Sequence, residues 1–361
     1  MSDLRLKLAC EGSDGFRLRI DESLPLQGVT AVYGPSGCGK TTLLECIAGL
    51  RQPAPGSQVV IDSRRWLDDS TNLPPWQREV GYVFQDARLF PHLDVAGNLA
   101  YGQRRRGDSG PDLTSVSQWL GLADMERRMP DTLSAGQRQR VAIGRALLSA
   151  PRLLLDEPLA NLDSLSRSQC LDALRRVIAA RAVPMLYVSH DIEEIAQVAD
   201  RLLLLEQGRV VDRGPLLELC SRVDSHLTRD EQAAAILLTS LSGHDHHFDL
   251  SELAVEGQSL WVNPLSGPVG SRYRVRIPAR DVSLCLSLPT DTSILNILPV
   301  TITAMAGQSE ARVLIQLALG KQRLLARITR KSATALNLRI GDRLYAQIKS
   351  TALLSDMSPP P

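Results

Sequence analysis

Residues 29–50 read "VTAVYGPSGCGKTTLLECIAGL". The first six are an apolar, β-branched run of the kind that forms a buried strand, and the stretch from Lys40 has the composition of a helix. Between them lies a match to the pattern GxxxxGK[ST], placed directly after a strand and opening a helix. Gly34, Gly37 and Gly39 let backbone N–H groups turn inward around phosphate oxygens. The start of the helix adds its dipole to that cradle. Lys40 is placed to neutralise the β- and γ-phosphates, and Thr41 to offer a hydroxyl to Mg²⁺. The expected contacts with a nucleoside triphosphate are therefore Gly34, Pro35, Ser36, Gly37, Cys38, Gly39, Lys40, Thr41 and Thr42.

Working outward, "LLLDEP" (153–158) and "PMLYVSH" (184–190) are two further apolar runs ending in polar residues, each followed by a helical pattern. Strand–helix alternation over the first 210 residues predicts an α/β fold with a mainly parallel sheet. Ligands of such sheets sit at the carboxyl ends of the strands. Asp156 and Glu157 arrive at one such end, downstream of a phosphate loop. Asp156 is placed to reach Mg²⁺ through water, and Glu157 to act on the attacking water as its base or polarising group.

The bulk composition excludes little. The chain has 361 residues, 43% hydrophobic and 22% charged, as in an ordinary soluble globular protein. Lys+Arg number 41 and Asp+Glu 40, so no global charge bias advertises nucleic acid as a partner. From Asp291 onward, 9 Lys/Arg face 4 Asp/Glu, a tail of +5. The six cysteines are scattered without a CxxC pair and read as free thiols in a reducing compartment. The start "MSDLRLKLAC" lacks the apolar core of a signal peptide, and no run is long enough to span a bilayer. The expected place is the cytoplasm, where any association with a membrane must go through a partner. "HDHH" (244–247) reads as a solvated loop more readily than as a metal site, since no second cluster completes a shell.

Four further stretches carry a resemblance. "LSAGQRQRVAIGRALL" (133–148) resembles the signature motif of ABC-type ATPases. "VGYVFQD" (80–86) resembles their Q-loop, with Gln85 as its glutamine; "LANLD" (159–163) resembles the D-loop, with Asn161 and Asp163; "VSHDIEE" (188–194) carries His190 as the switch histidine. Ala135 departs from the family's usual Gly. The resemblance implies a P-loop ABC ATPase domain with a helical subdomain, in which two copies of the chain sandwich two ATP molecules head to tail. Each γ-phosphate would lie between the phosphate loop of one copy and Ser134, Gly136 and Gln137 of the other. Glu157, His190 and Gln85 would be catalytic, and Thr41, Gln85 and Asp156 would hold Mg²⁺. The family stacks an aromatic ring on adenine about two dozen residues before the phosphate loop. That spacing falls near Glu11, with Phe16 the nearest aromatic, read here as a core residue. The stretch 81–102, including "RLFPHL", sits where importer ATPases receive a membrane permease.

After residue 230 the texture becomes that of antiparallel strands, and 256–284 lines up with 320–354 as two diverged copies of one unit. The expectation is an ATPase domain over 1–230, a first all-β, OB-like segment over 231–290, a second barrel over 291–354, and a disordered tail over 355–361. "TSILNILP" (292–299) with "LLARITRKSATALNLRIGDRLYAQIKS" (324–350) resembles the Mop domain, the small barrel appended to the ATPase subunit of molybdate importers. That resemblance implies molybdate import, or tungstate, with two permease subunits and a periplasmic oxyanion-binding protein as partners. Ser293, Asn296, Ser332 and Lys349 fall on matching oxyanion-binding positions, while Leu295 stands where such domains carry Arg. The barrel either binds the anion, as an intracellular sensor that slows hydrolysis, or only pairs two ATPases. Sulfate or sugar import, and a soluble ABC ATPase without a permease, are the competing readings.

Overall fold

The structure is a computed structural model and describes residues 3–12, 15–106, 110–180, 183–228, 232–307, 309, 311–349 and 353–356. The described residues divide into two compact units, those up to Arg213 and those from Gly214 onward.

The first unit is built on a six-stranded sheet. From edge to edge its strands are Arg209–Pro215, Arg201–Glu206, Val29–Tyr33, Met185–Ser189, Leu153–Asp156 and Gly81–Val83. The four pairings from Arg201–Glu206 across to Gly81–Val83 are parallel, and the strands Leu153–Asp156 and Met185–Ser189 are buried along their whole length, as strands covered on both faces must be. A four-stranded antiparallel sheet, Arg17–Pro25, Asp3–Glu11, Gln58–Ile61 and Arg64–Leu67, packs over the helix Lys40–Ala48. Its strand Asp3–Glu11 alternates, burying Leu4, Leu6, Leu8 and Cys10 and exposing the residues between. The helix Lys40–Ala48 ends at Gly49 in a left-handed turn. Its last carbonyls, of Cys46 and Ile47, accept from the guanidinium of buried Arg78 at 2.8 and 2.7 Å. A cation at a helix C-terminus is also favoured by the dipole, which makes this burial affordable.

The helices Val95–Arg106, Leu113–Leu120, Ala135–Ser149 and Ser164–Ala180 pack together as the helical part of this unit. Gly144 lets them close. A Cβ there would stand 2.7 Å from Leu99 Cδ2 and 2.9 Å from Leu120 Cδ1.

The second unit holds two five-stranded sheets, as the repeat predicts, but their membership corrects the predicted boundaries. One runs Gln258–Val262, Leu250–Val255, Ala234–Asp245, Arg272–Pro278, Leu353–Asp356; the other runs Val282–Cys285, Arg343–Ile348, Asn296–Gly307, Arg312–Leu319, Gln322–Thr329. Each sheet takes one strand from the other half of the sequence. Val282–Cys285, which closes the first copy, pairs with Arg343–Ile348, and Leu353–Asp356, which closes the second, pairs with Arg272–Pro278. The exchange is reciprocal, so a break at 290 separates no domains, and one buried cluster runs through both sheets. Residues 355 and 356 likewise belong to a strand and not to a tail; 357–361 lie outside the described residues. The first unit also ends earlier than 230. The short helix Leu216–Ser221 packs on the strand Ala234–Asp245, and Gln316 donates to the Ser221 carbonyl at 2.7 Å.

Candidate functional site

The phosphate loop closes on its own lysine. Lys40 is buried, and its Nζ donates to the carbonyls of Gly34 and Pro35 at 2.8 and 3.1 Å. Gly39, at φ 106, precedes the helix and provides no side-chain cap, which leaves the first-turn N–H groups uncapped by a side chain. Only glycine fits there, because a Cβ would meet Phe16 Cζ at 2.8 Å and Leu18 Cδ1 at 2.9 Å. A cavity of about 820 Å³ opens beside the loop, lined by Phe16, Arg17, Ser36, Gly37, Cys38 and Arg209 among others. Phe16 is half-buried: it packs against the core of this unit, as expected from the sequence, and also borders this cavity. Glu11 is exposed and pairs with Arg17.

Parallel register brings the acids to the loop. Asp156 is the last residue of its strand and stands opposite Val188, so Glu157 and His190 emerge side by side. Asp156 is 6% exposed and takes one donor on each oxygen, the Thr41 hydroxyl on Oδ1 and the Tyr82 hydroxyl on Oδ2, both at 3.0 Å. Burial pushes its carboxyl above the ordinary range, against the lowering by those two donors. Glu157 sits in the left-handed region at φ 44, a conformation that costs a non-glycine residue roughly 1 kcal/mol. It is held there by its N–H on the Val188 carbonyl at 3.1 Å, by Lys40 Nζ at 3.5 Å from Oε1, and by His190 Nδ1 at 3.2 Å from Oε2.

The remaining expected groups surround this centre. Gln85 is exposed and makes no hydrogen bond among the described residues. Asn161 Nδ2 reaches Asp86, next to it, at 3.4 Å, and Asp163 caps the following helix through Ser166 N at 2.9 Å. Ser134 is the N-cap of the helix Ala135–Ser149 and forms a capping box with Gln137. The Gln137 side chain is thus turned back to the Ser134 N–H, at 2.9 Å. Gly136 is buried against Ser166, where a Cβ would stand 2.8 Å from its Cβ. His244 bonds to Ser251 and to the Gly267 carbonyl, and no group of three potential metal ligands occurs among the described residues.

Several contributors escaped the sequence reading because their role is visible only in contact. Gln139 donates to the Phe84 carbonyl at 3.1 Å and Arg145 to the Arg88 carbonyl at 2.8 Å, tying the helix of Ser134 to the segment of Gln85. Phe90 packs at a tilt against Tyr101, 4.6 Å between centroids, under Arg145, and Tyr101 stays 48% exposed. Behind His190, buried Glu194 accepts from Ser189 and Tyr187 at 2.8 and 3.1 Å and faces Arg167 at 3.6 Å.

The four residues matched to oxyanion binding are not gathered by one chain. Asn296 and Lys349 share one end of the second sheet, Asn296 standing opposite Ile348. Asn296 is buried, with both ends of its amide spent on the Trp261 backbone at 2.7 and 2.9 Å. Ser293 is exposed nearby in sequence. Ser332, beside Thr329, lies past the opposite end of the strand Asn296–Gly307, since Gly307 pairs with Val313 and Arg312 with Thr329.

A phosphate loop, two carboxylates at a strand tip and a histidine on the neighbouring strand, set on a mainly parallel sheet beside a helical part, define an ATPase of the ABC type. The ABC transporter family matches residues 19–160, and the TOBE domain family matches 292–354. Molybdenum import ATP-binding protein ModC of Pseudomonas aeruginosa is 44% identical over 363 residues, covering 98% of this chain and 100% of its own. The ModC of Rhodopseudomonas palustris is 46% identical over 348 residues (94% and 92%), and that of Methylococcus capsulatus 43% over 345 (94% and 96%). The chain belongs to this family of molybdenum import ATP-binding proteins. Among solved structures, cbiO1 from Clostridium perfringens, part of the ABC transporter complex cbiONQ, shares the fold at TM-score 0.50 and 24% identity, covering 60% of this chain and 89% of that one.

Proposed function

We propose that this protein hydrolyses ATP to drive molybdate import, as the energy-coupling subunit beneath two membrane permease subunits at the cytoplasmic face of the inner membrane. The observation that carries the reading is the meeting of Lys40, Glu157 and His190 within hydrogen-bond or ion-pair reach, in a chain similar to ModC proteins over nearly its whole length. No helix among the described residues is long and apolar enough to cross a membrane.

In this reading the β- and γ-phosphates lie against the backbone N–H groups of Gly37 to Thr42 and draw Lys40 from the Gly34 and Pro35 carbonyls. Releasing Lys40 from Glu157 frees that carboxylate to orient and polarise the attacking water, with His190 holding its other face. The base rests in the cavity bordered by Phe16. The donor set at Thr41 and Asp156, a hydroxyl and a buried carboxylate 3.0 Å apart, is all oxygen and fits Mg²⁺, with Gln85 as a further ligand. When bound, that ion neutralises charge developing on the phosphate oxygens. The second copy supplies Ser134, Gly136 and Gln137, so neither chain completes a site alone. The permease docks at the segment of Phe90 and Tyr101, which Arg145 ties to the helix of Ser134, and a periplasmic oxyanion-binding protein delivers the ion. Any oxyanion site at the tail needs residues of two chains, given the separation of Ser332 from Asn296.

Radioactive molybdate uptake into cells carrying wild-type or Glu157→Gln protein in a deletion strain tests this. Uptake restored by wild type and absent with the variant is expected; restored sulfate or sugar uptake without molybdate uptake would sink the reading.

A further inference from the structure

Tyr82 lies in the stretch 80–86 but is not the residue that defines its motif, and its hydroxyl is one of two groups that, among the described residues, donate to the Asp156 carboxylate. It lies in the strand Gly81–Val83, in register with Leu154 of the strand that ends at Asp156. From there its ring runs toward the strand tip, and the hydroxyl donates to Asp156 Oδ2 at 3.0 Å. The ring cannot swing freely. It packs against Phe84 at 4.4 Å between centroids, and the Phe84 carbonyl is itself held by Gln139. The same segment continues directly to Gln85.

The two donors on Asp156 differ in what they are free to do. Thr41 Oγ1 donates to Oδ1, but a hydroxyl that gives its lone pair to a divalent cation turns its hydrogen according to that cation. Tyr82 touches the oxygen remote from Thr41 and has no competing duty. Its bond therefore persists while Thr41 changes partner, and it fixes the plane of the carboxylate within a buried site. Tyrosine rather than phenylalanine at this position is explained by that bond, since packing on Phe84 needs only the ring.

We propose that Tyr82 is a positioning residue for the divalent-cation site: its hydroxyl holds Asp156 so that Oδ1 faces the cation carried by Thr41. This rests on the reading above that Thr41 and Asp156 bind Mg²⁺. It also makes the segment entering the Q-loop part of the cation site, so that Gln85 and Asp156 keep a set spacing through one hydrogen bond.

The test is ATP affinity of the full-length chain by titration calorimetry, with Mg²⁺ and with EDTA, in a Glu157→Gln background that removes turnover. Tyr82→Phe keeps the ring and deletes the hydroxyl. It is expected to leave the affinity in EDTA unchanged and to narrow the gain from Mg²⁺ by about 10-fold, as loss of an orienting partner of a metal ligand does. Tyr82→Leu, which gives up the ring as well, must narrow the gain at least as far, and Mn²⁺ titrated with ATP, followed by electron paramagnetic resonance, must bind more weakly in both variants. An unchanged gain from Mg²⁺, or equal losses with Mg²⁺ and EDTA, overturns the proposal. Asp156→Asn separates the two layers. If it abolishes the gain while Tyr82→Phe does not, the positioning role alone fails; if Asp156→Asn keeps the gain, the cation reading fails first.

Discussion

At the scale of the residue, the site stores its charges against one another. Lys40, Glu157 and His190 form a chain of contacts that the γ-phosphate would have to break. Lys40→Ala should lower ATP affinity by roughly 100-fold, or about 2.7 kcal/mol, as a charge-assisted contact in a closed site is lost; calorimetry showing equal affinity would contradict the role. Glu157→Gln should leave ATP binding in place and cut steady-state turnover by roughly 10²–10⁴-fold, read as phosphate release. These residues were legible because motif spacing puts fixed chemistry at fixed offsets from a strand end. Tyr82, Gln139 and Glu194 were not, because a tyrosine, glutamine or glutamate carries no sign of its partner until the fold brings one 74, 55 or 5 residues away. Phe16 was legible only in half: it packs on the core as expected, but a lone aromatic after a turn carries no sign that it also walls a cavity.

At the scale of the element, helix ends and strand tips decide which groups are spent on structure. Arg78→Ala removes four hydrogen bonds, takes the guanidinium from the Ile47 carbonyl and leaves the Cys46 carbonyl with only the Gly49 N–H at 3.3 Å, at a buried helix end. A loss of about 2–4 kcal/mol is expected, read from urea unfolding of the first unit, and a loss below ~0.5 kcal/mol would show the cap to be dispensable. Glu194 supplies a pH test. Burial, the largest cause, holds its carboxyl above the ordinary 4.5, outweighing Ser189, Tyr187 and Arg167. With the folded value raised, the proton-linked stability is full below the unfolded value and is lost as pH rises through the folded one. The thermal midpoint of Glu194→Gln minus that of wild type should therefore fall as pH is lowered from 7 toward 4.5. A difference that grows on acidification would contradict burial as the dominant cause. The strands Val29–Tyr33, Leu153–Asp156 and Met185–Ser189 were legible because each apolar run delivers a motif, the phosphate loop, the two carboxylates or the histidine, at its carboxyl end. The exchanged strands were not, since Val282–Cys285 and Leu353–Asp356 are four residues each and carry no mark of which sheet they join.

At the scale of the whole molecule, the reciprocal exchange makes the second unit indivisible. A chain cut after residue 290 loses four strands of one sheet and the last strand of the other, along with the buried residues from Leu298 onward. The remnant 214–290 should be digested within minutes by a protease dilute enough to spare the intact chain; equal resistance would show the two sheets to be independent. The alignment of 256–284 with 320–354 foretold two similar sheets, but similarity between copies leaves open which copy supplies each edge. The account as a whole turns on ATP held between two copies. Light scattering of the Glu157→Gln chain across an ATP titration, beside the same chain carrying Ser134→Arg, tests it most directly. ATP should strengthen self-association at least about 10-fold in the first and not in the second, with ATP bound equally by both. Saturation with ATP without any change in association, or equal strengthening in both chains, would contradict it.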